Sequence, residues 1–190
     1  MKRLIDFLLA FICLIIFSPL CLICYIAIRI EDGKPVIFKQ ERIGRNGKPF
    51  NIYKFRSLTI DGGNEEDLLI GQTKKKEFTH IGKFLREHHL DELPQLWNVL
   101  IGDMAFVGPR PERKYYIDMI IKYDPRYELL YQLRPGVTSY ATLHNGYTDT
   151  MEKMLIRLEM DLDYLEHQTL LLDAKILLET FTNIIIGKKF

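Results

Sequence analysis

The sequence predicts a mainly helical α+β fold, in which an apolar N-terminal helix precedes a small β-hairpin and a helical domain. Three observations carry this prediction. Residues 7–28 contain no charged side chain, which is typical of a membrane helix. Two short segments rich in aromatic and β-branched residues, 35–39 and 50–55, flank a turn that contains two glycines, as in a β-hairpin. Residues 150–186 form a long amphipathic helical pattern.

The apolar segment has the length of a membrane helix. At about 1.5 Å per residue, its 22 residues reach across a hydrocarbon core that is roughly 30 Å thick. A secretory signal is excluded, because its apolar core is shorter and is followed by a cleavage site of small residues. Pro19 lies in the middle of the segment and predicts a bend, since proline removes one backbone donor.

Basic residues lie on both sides of the apolar segment. Lys2 and Arg3 precede it, and residues 29–56 hold eight basic and three acidic side chains. A straight crossing would leave one cluster on the outer face, so the charges favour a helix that enters one leaflet and returns; a spanning helix stays open. We assign residues 1–30 to a re-entrant membrane helix and 31–190 to a cytoplasmic domain. The basic stretch indicates contact with lipid headgroups or a phosphorylated substrate, and no nucleic-acid-binding module accompanies it.

The remaining elements follow from local patterns. The hairpin turn is expected at residues 44–47, and the polar residues 61–77 are expected to form a surface loop. The periodicity of the apolar residues predicts the other helices. They cover about residues 81–89, 94–100, 112–123 and 150–186, the last with an interruption near residues 168–169.

Two adjacent acids, Asp91 and Glu92, lie just before Pro94. Proline suits the first turn of a helix, so both carboxylates fall at a helix entrance, where backbone N–H groups stabilise negative charge. An ionised aspartate there is a competent nucleophile toward phosphorus, and its neighbour can bind a metal or move a proton. Simple helix capping is the alternative interpretation of the same pattern.

Cations occur in two further segments. Lys54 and Arg56 alternate along the second predicted strand, which places both on one face. Arg110 stands between Pro109 and Pro111 in a stiff loop, and rigidity lowers the entropy cost of holding a guanidinium against a phosphate. A solvated strand face and a tight turn are the alternatives. Paired acids with several cations indicate a site for a divalent metal and a diphosphate.

Taken together, these segments resemble the small monotopic phosphoglycosyl transferases of the bacterial sugar transferase family. The resemblance runs in order through nearly the whole chain. The matching segments are Lys2-Arg3-x-x-Asp6, Ser18-Pro19, Phe38-x-Gln40-x-Arg42-x-Gly44, Tyr53-Lys54-Phe55-Arg56-Ser57, Arg86-x-x-x-Leu90-Asp91-Glu92-Leu93-Pro94-Gln95-Leu96-x-Asn98-Val99-Leu100, Gly102-Asp103-Met104-x-x-Val107-Gly108-Pro109-Arg110-Pro111 and Arg134-Pro135-Gly136-Val137-Thr138.

The resemblance implies a re-entrant helix with both ends on the cytoplasmic face of the bacterial inner membrane. It implies that Asp91 attacks the β-phosphorus of a UDP-sugar, releases UMP, and passes the phosphosugar to polyprenyl (undecaprenyl) phosphate. Mg²⁺ would bind at Asp91 and Glu92. Lys54 and Arg110 match positions that bind the nucleotide and its phosphates, and Arg86 a position near lipid headgroups.

Some expectations stay open at this point. The segment after Thr138 departs from the Ala-Gln-Val-Asn-Gly-Arg of many members, since residues 141–146 are Ala-Thr-Leu-His-Asn-Gly, and this leaves the sugar preference undefined. A membrane-bound metal-dependent phosphohydrolase and a non-catalytic membrane scaffold are the alternative functions. A homodimer is also possible.

Overall fold

The computed structural model describes residues 1–59, 78–146, 148 and 150–187. The α+β, mainly helical fold is confirmed, whereas the loop expected at 61–77 lies outside the described residues. The helices are α1 (Lys2–Asp32), α2 (His80–Glu87), α3 (Gln95–Ile101), α4 (Lys114–Tyr123), α5 (Tyr140–Asn145), α6 (Met151–His167) and α7 (Leu170–Ile186). The strands are β1 (Ile37–Ile43), β2 (Pro49–Phe55), β3 (Ala105–Val107) and β4 (Gly136–Thr138), and 3₁₀ turns cover Arg45–Gly47, Leu90–Glu92 and Pro125–Gln132.

Helix α1 is the one helix among the described residues that is long and apolar enough to cross a membrane. It stays helical through Pro19. Pro19 has no N–H for the carbonyl of Ile15, and the hydroxyl of Ser18 donates to that carbonyl instead, at 2.8 Å. This substitution stabilises a proline inside a helix, as in membrane proteins generally. The re-entrant course through a bilayer stays a prediction.

The N-terminal end of α1 is attached to the domain that follows it. Lys2 Nζ forms an ion pair with Asp173 of α7 at 2.5 Å. Arg3 Nη1 donates to the carbonyl oxygen of Val99 at 2.6 Å. Two turns further on, Ala10 is fully buried in a core cluster that includes Val99. These contacts join the start of α1 to α3 and α7.

The C-terminal end of α1 is attached to the same domain on another side. Ile28 is buried in a core cluster with Phe55 of β2 and Leu85 of α2. Asp32, the last residue of α1, forms an ion pair with Arg56 at 3.0 Å. The part of α1 between its two attached ends exposes large apolar side chains, which are Phe11, Ile12, Ile15, Ile16, Phe17, Leu22 and Ile23.

The predicted β-hairpin is present as an antiparallel pair of β1 and β2, with Ile37 opposite Phe55. The first strand was predicted at residues 35–39. It begins two residues later and is longer, because its pairing with β2 continues to Ile43. The turn contains Asn46 in the left-handed region, at a φ of 59°, which asparagine tolerates better than most residues.

A second, parallel pair of short strands, β3 and β4, was not predicted. Each strand has three residues, and Ala105 pairs with Gly136. Gly108 directly follows β3, and Gly136 is the first residue of β4. Their backbones lie so close together that a Cβ atom on Gly136 would be 2.2 Å from the nitrogen of Gly108. Glycine is therefore required at this contact, which brings the loop after β3 against the turn before β4.

The helix boundaries largely agree with the prediction. α2 ends at Glu87, before the predicted position 89, because His89 adopts a left-handed φ of 55°. The predicted interruption near residues 168–169 is confirmed, since α6 ends at His167 and Thr169 begins α7 by accepting a hydrogen bond from the backbone of Leu172.

Asn98 of α3 connects this helix to the hairpin. Its side chain is fully buried, and both of its polar atoms bond to the backbone of β2. Its Oδ1 accepts from the N–H of Tyr53 at 3.1 Å, and its Nδ2 donates to the carbonyl oxygen of Asn51 at 2.7 Å. Asn98 thus pairs with β2 much as another strand would.

Replacing Asn98 with leucine tests this connection. Asn98→Leu removes two part-buried hydrogen bonds to the backbone of β2, and we expect a loss of about 1–3 kcal/mol in unfolding free energy. The measurement is chemical denaturation of the detergent-solubilised protein. Asn145→Leu is the control, because Asn145 makes one exposed hydrogen bond, and a loss as large as that of Asn98→Leu would contradict the interpretation.

Candidate active site

The two acids lie in the 3₁₀ turn Leu90–Glu92 between α2 and α3. Asp91 is buried, with 6% of its surface exposed, and the side chain of Glu92 is 23% exposed. α3 has Pro94 as its N-cap and no side-chain hydrogen bond at its start. Helix capping therefore does not account for these two acids.

Lys54 of β2 forms an ion pair with Glu92. The distance from Nζ to Oε1 is 2.7 Å, and both side chains are about four-fifths buried. β2 places Lys54 there because α3 is fixed against the same strand by Asn98. An ammonium group has three N–H donors, and the bond to Glu92 uses one of them. Lys54 can therefore bind a phosphate oxygen while it stays beside Glu92.

Arg110 projects from a loop whose backbone is held on both sides. The carbonyl oxygen of Pro109 accepts from the N–H of Gly136 at 2.9 Å, and that of Pro111 accepts from Arg42 Nη1 at 3.2 Å. Arg110 itself is exposed, and its guanidinium makes no hydrogen bond to any residue in the described part of the chain. The rigid loop thus presents an available cation.

The loop is also anchored beyond Pro111. The carbonyl oxygen of Glu112 accepts from the N–H of Ile43 at 3.1 Å, and its carboxylate forms an ion pair with Arg157 of α6 at 2.6 Å. Arg157 is itself buried. The hairpin and α6 therefore both fix the position of the segment that carries Arg110.

The two carboxylates differ in their affinity for a proton. Burial raises the pKa of Asp91 to about 6, and the charge of Glu92 adds to this effect against the opposing charges of Lys54 and Arg86. Burial also disfavours the charged form of Glu92, but Lys54 and Arg110 outweigh it and lower the pKa of Glu92 to about 2. The site therefore contains one permanently ionised acid and one poised near neutrality, a pattern typical of catalytic pairs.

The other two predicted site residues differ in their position relative to the two acids. Arg86 is half-buried on α2, and its charge acts on Asp91. Arg56 binds the end of α1 instead. Its Nη2 donates to the carbonyl oxygen of Asp32 at 2.7 Å and forms an ion pair with the carboxylate of Asp32 at 3.0 Å.

A pocket opens beside Glu92. It combines the hairpin, the start of α3, the Arg110 loop and the region from β4 to α5. Its lining residues are Arg42, Ile52, Lys54, Glu92, Gln95, Arg110, Pro111, Gly136, Val137 and Thr142. The sequence analysis gave no role to Gln95 or Thr142, although Gln95 lies one helical turn after Asp91 and so could have been expected on the same side.

The donor set fits a magnesium ion. Asp91 and Glu92 supply hard carboxylate oxygens, and Mg²⁺ commonly uses one or two carboxylates together with substrate phosphates and water. Their mutual repulsion contributes to the raised pKa of Asp91, and a divalent cation would relieve it. Within the described residues there is no group of three or more histidine, cysteine or acidic side chains that could hold a metal.

Comparison with known proteins places this geometry in context. The family model described as bacterial sugar transferase matches residues 1–187. The chain is 36% identical over 186 residues to the UDP-N-acetylgalactosamine-undecaprenyl-phosphate N-acetylgalactosaminephosphotransferase of Aeromonas hydrophila, an alignment that covers 98% of this chain and 44% of that protein. It is 40% identical over 190 residues to the UDP-glucose:undecaprenyl-phosphate glucose-1-phosphate transferase of Klebsiella pneumoniae, covering 98% of this chain and 40% of the relative.

The chain therefore spans about two fifths of the length of these two relatives. A relative of similar size is the uncharacterized sugar transferase EpsL of Bacillus subtilis. The identity is 34% over 188 residues, which cover 99% of this chain and 89% of that protein.

Replacing Asp91 with asparagine tests the cost of burying this charge. The pKa of Asp91 is raised in the folded state, so its ionisation destabilises the fold as the pH rises from about 4 to about 6. Asp91→Asn removes the charge and with it this loss of stability. The variant should therefore have an unfolding free energy that is higher above pH 6 by about 3 kcal/mol at most.

The gain should disappear near pH 4, where Asp91 is protonated in both states. Thermal unfolding between pH 4 and pH 8 measures it. Asp163→Asn is the control, because the side chain of Asp163 is 69% exposed and its charge costs little. Equal stability of the wild type and Asp91→Asn at pH 8 would contradict the burial argument.

Proposed function

Since the chain belongs to the bacterial sugar transferase family, we propose that it transfers a sugar phosphate from a UDP-sugar to polyprenyl phosphate and releases UMP. The observation that carries this proposal is the pairing of a buried acid, Asp91, with an ionised one, Glu92, beside two cations, Lys54 and Arg110. The names of the relatives describe the same reaction type, with UDP-sugars as donors and undecaprenyl phosphate as acceptor.

In the first proposed step the Asp91 carboxylate attacks the β-phosphorus of the UDP-sugar. A bond forms between Oδ of Asp91 and phosphorus, and the bond from that phosphorus to the bridging oxygen breaks. UMP departs with the bonding electron pair, and the sugar phosphate remains on Asp91 as an acyl phosphate. Burial raises the pKa of Asp91 to about 6, so the carboxylate is mostly ionised at pH 7 and poorly solvated.

In the second step a phosphate oxygen of polyprenyl phosphate attacks the same phosphorus. The bond to Asp91 breaks, the carboxylate is restored, and the product is a polyprenyl diphosphate sugar. Two displacements suit substrates that arrive from water and from the membrane, because each can bind and leave separately. The acceptor brings its own negative charge, so this step also requires cations beside the phosphorus.

Lys54 and Arg110 would supply those cations. Lys54 has two N–H groups left after its bond to Glu92, and Arg110 is exposed on a fixed loop. Both would bind the diphosphate, which otherwise repels a carboxylate nucleophile. Mg²⁺ held by Asp91 and Glu92 would add charge neutralisation of the phosphate oxygens. Glu92 stays ionised throughout, which suits metal binding better than proton transfer.

We further propose that α1 is re-entrant and that the domain lies on the cytoplasmic face of the inner membrane. Its two attached ends support this course. Lys2 contacts α7, and Asp32 contacts Arg56 of the same domain. The exposed apolar stretch between Ala10 and Cys24 spans about 20 Å as a helix, less than a hydrocarbon core of roughly 30 Å. Both ends can then remain on one side.

Nucleotide release tests the proposed reaction. The purified protein is incubated with a panel of UDP-sugars, with and without undecaprenyl phosphate and Mg²⁺. We expect lipid-dependent release of UMP with one or a few sugars, and a loss of at least about 1,000-fold in Asp91→Asn, because the nucleophile is removed. Intact-protein mass spectrometry without the lipid should show the added sugar phosphate on the wild type alone.

Asp118→Asn, an exposed acid of α4, is the control and should retain full activity. Release of UDP in place of UMP would show that the glycosidic bond breaks and would contradict the proposal. Lipid-independent UMP beyond the single equivalent per protein that the first step releases would indicate the phosphohydrolase, and full function of Asp91→Asn would indicate the scaffold.

Labelling of single cysteines tests the membrane course. The three native cysteines, all in α1, are replaced by alanine, and a cysteine is placed at Leu4 or Lys34. A membrane-impermeant maleimide applied to intact cells should label neither position, and both should react once the inner membrane is permeabilised. Reaction of the position 4 variant in intact cells, with position 34 still protected, would show a spanning helix.

A further inference from the structure

Gln95 is a buried polar residue without a partner. It is the first residue of α3, and 3% of its surface is exposed. Within the described part of the chain, nothing forms a hydrogen bond with its side-chain amide. The amide lies at the wall of a pocket and is not among the polar atoms that the fold seals off from solvent, so it is available to bind a ligand there.

Asn98, one turn further along α3, shows the ordinary case. It carries the same functional group and is equally buried, but both of its amide atoms bond to β2. The two residues thus divide the inner face of α3. Asn98 fixes the helix to the hairpin, whereas Gln95 lines the pocket beside Glu92.

The surroundings of Gln95 define what it can bind. Lys54 and Arg110 line the same pocket, and cations of this kind suit the phosphate groups of the substrate. A neutral amide that both donates and accepts instead matches hydroxyl groups, which also do both. Gln95 follows Glu92 by three residues and lines the same pocket as the two cations, so its amide would lie near the sugar of a substrate whose phosphates bind Lys54 and Arg110.

We propose that Gln95 is a substrate-binding residue whose amide forms hydrogen bonds with hydroxyl groups of the transferred sugar. This inference rests on the proposed function and deepens it, because it assigns the start of α3 to the sugar and the cations to the diphosphate. Thr142 lines the same pocket.

Binding measurements that do not depend on turnover test the proposal. Gln95→Met is made in the Asp91→Asn background, which keeps the UDP-sugar intact, and the affinities for the UDP-sugar and for UDP are measured by calorimetry with Mg²⁺. UDP carries both phosphates and no sugar. We expect Gln95→Met to weaken UDP-sugar binding by about 10- to 30-fold and UDP binding by less than about twofold.

The unfolding temperature supplies a second readout. Methionine has a similar volume and no polar group, so Gln95→Met should be as stable as its parent or more stable. Gln132→Met, at an exposed position, is the control and should change neither affinity nor stability. A marked drop in unfolding temperature for Gln95→Met would show a structural role and overturn the inference.

Equal weakening of UDP and the UDP-sugar would place the contact on the nucleotide and overturn the inference, as would unchanged affinity for both. Failure of the proposed function gives a different result. If the parent binds the UDP-sugar and Gln95→Met weakens it, but the wild type forms no lipid-linked product, the transfer reaction is wrong and the sugar contact stands. Absence of any UDP-sugar binding would overturn both.

Discussion

The pair of hydrogen bonds from Asn98 to β2 is the constraint on which the site depends. The acids belong to the turn before α3, whereas Lys54 belongs to the hairpin, and these elements are far apart in the chain. A single buried amide replaces the missing strand partner of β2 and so sets the separation between them. The contact between Lys54 and Glu92 at 2.7 Å follows from this docking.

The buried groups of the site lower the stability of the fold. Burial and the neighbouring charge of Glu92 disfavour the ionised form of Asp91, and Gln95 is buried without a hydrogen bond. Groups that are poorly satisfied in the free protein can interact more strongly with a substrate, because they have no partner to give up. Glu112, by contrast, has partners for both of its acceptor groups, since its carboxylate pairs with Arg157 and its backbone carbonyl accepts from Ile43 of the hairpin.

Local patterns in the sequence predicted the apolar helix, the hairpin and the break between α6 and α7, because proline, turn residues and periodicity act over short distances. They also identified candidate site residues, which are Asp91, Glu92, Lys54 and Arg110. The parallel pair β3–β4 was missed, since three-residue strands carry too little periodicity to detect. The partners of Arg56 and Lys54 could not be predicted, because Asp32 and Glu92 reach these two cations only through tertiary packing.

The attachment of both ends of α1 has a consequence for how the chain can be divided. Ala10 and Ile28 are buried in two different core clusters that also contain residues of β2. Removing residues 1–30 to obtain a water-soluble protein would therefore also remove part of the hydrophobic interior. Helix α1 and the elements that follow it form one folding unit, so solubility has to come from changes to the outward-facing apolar stretch rather than from truncation.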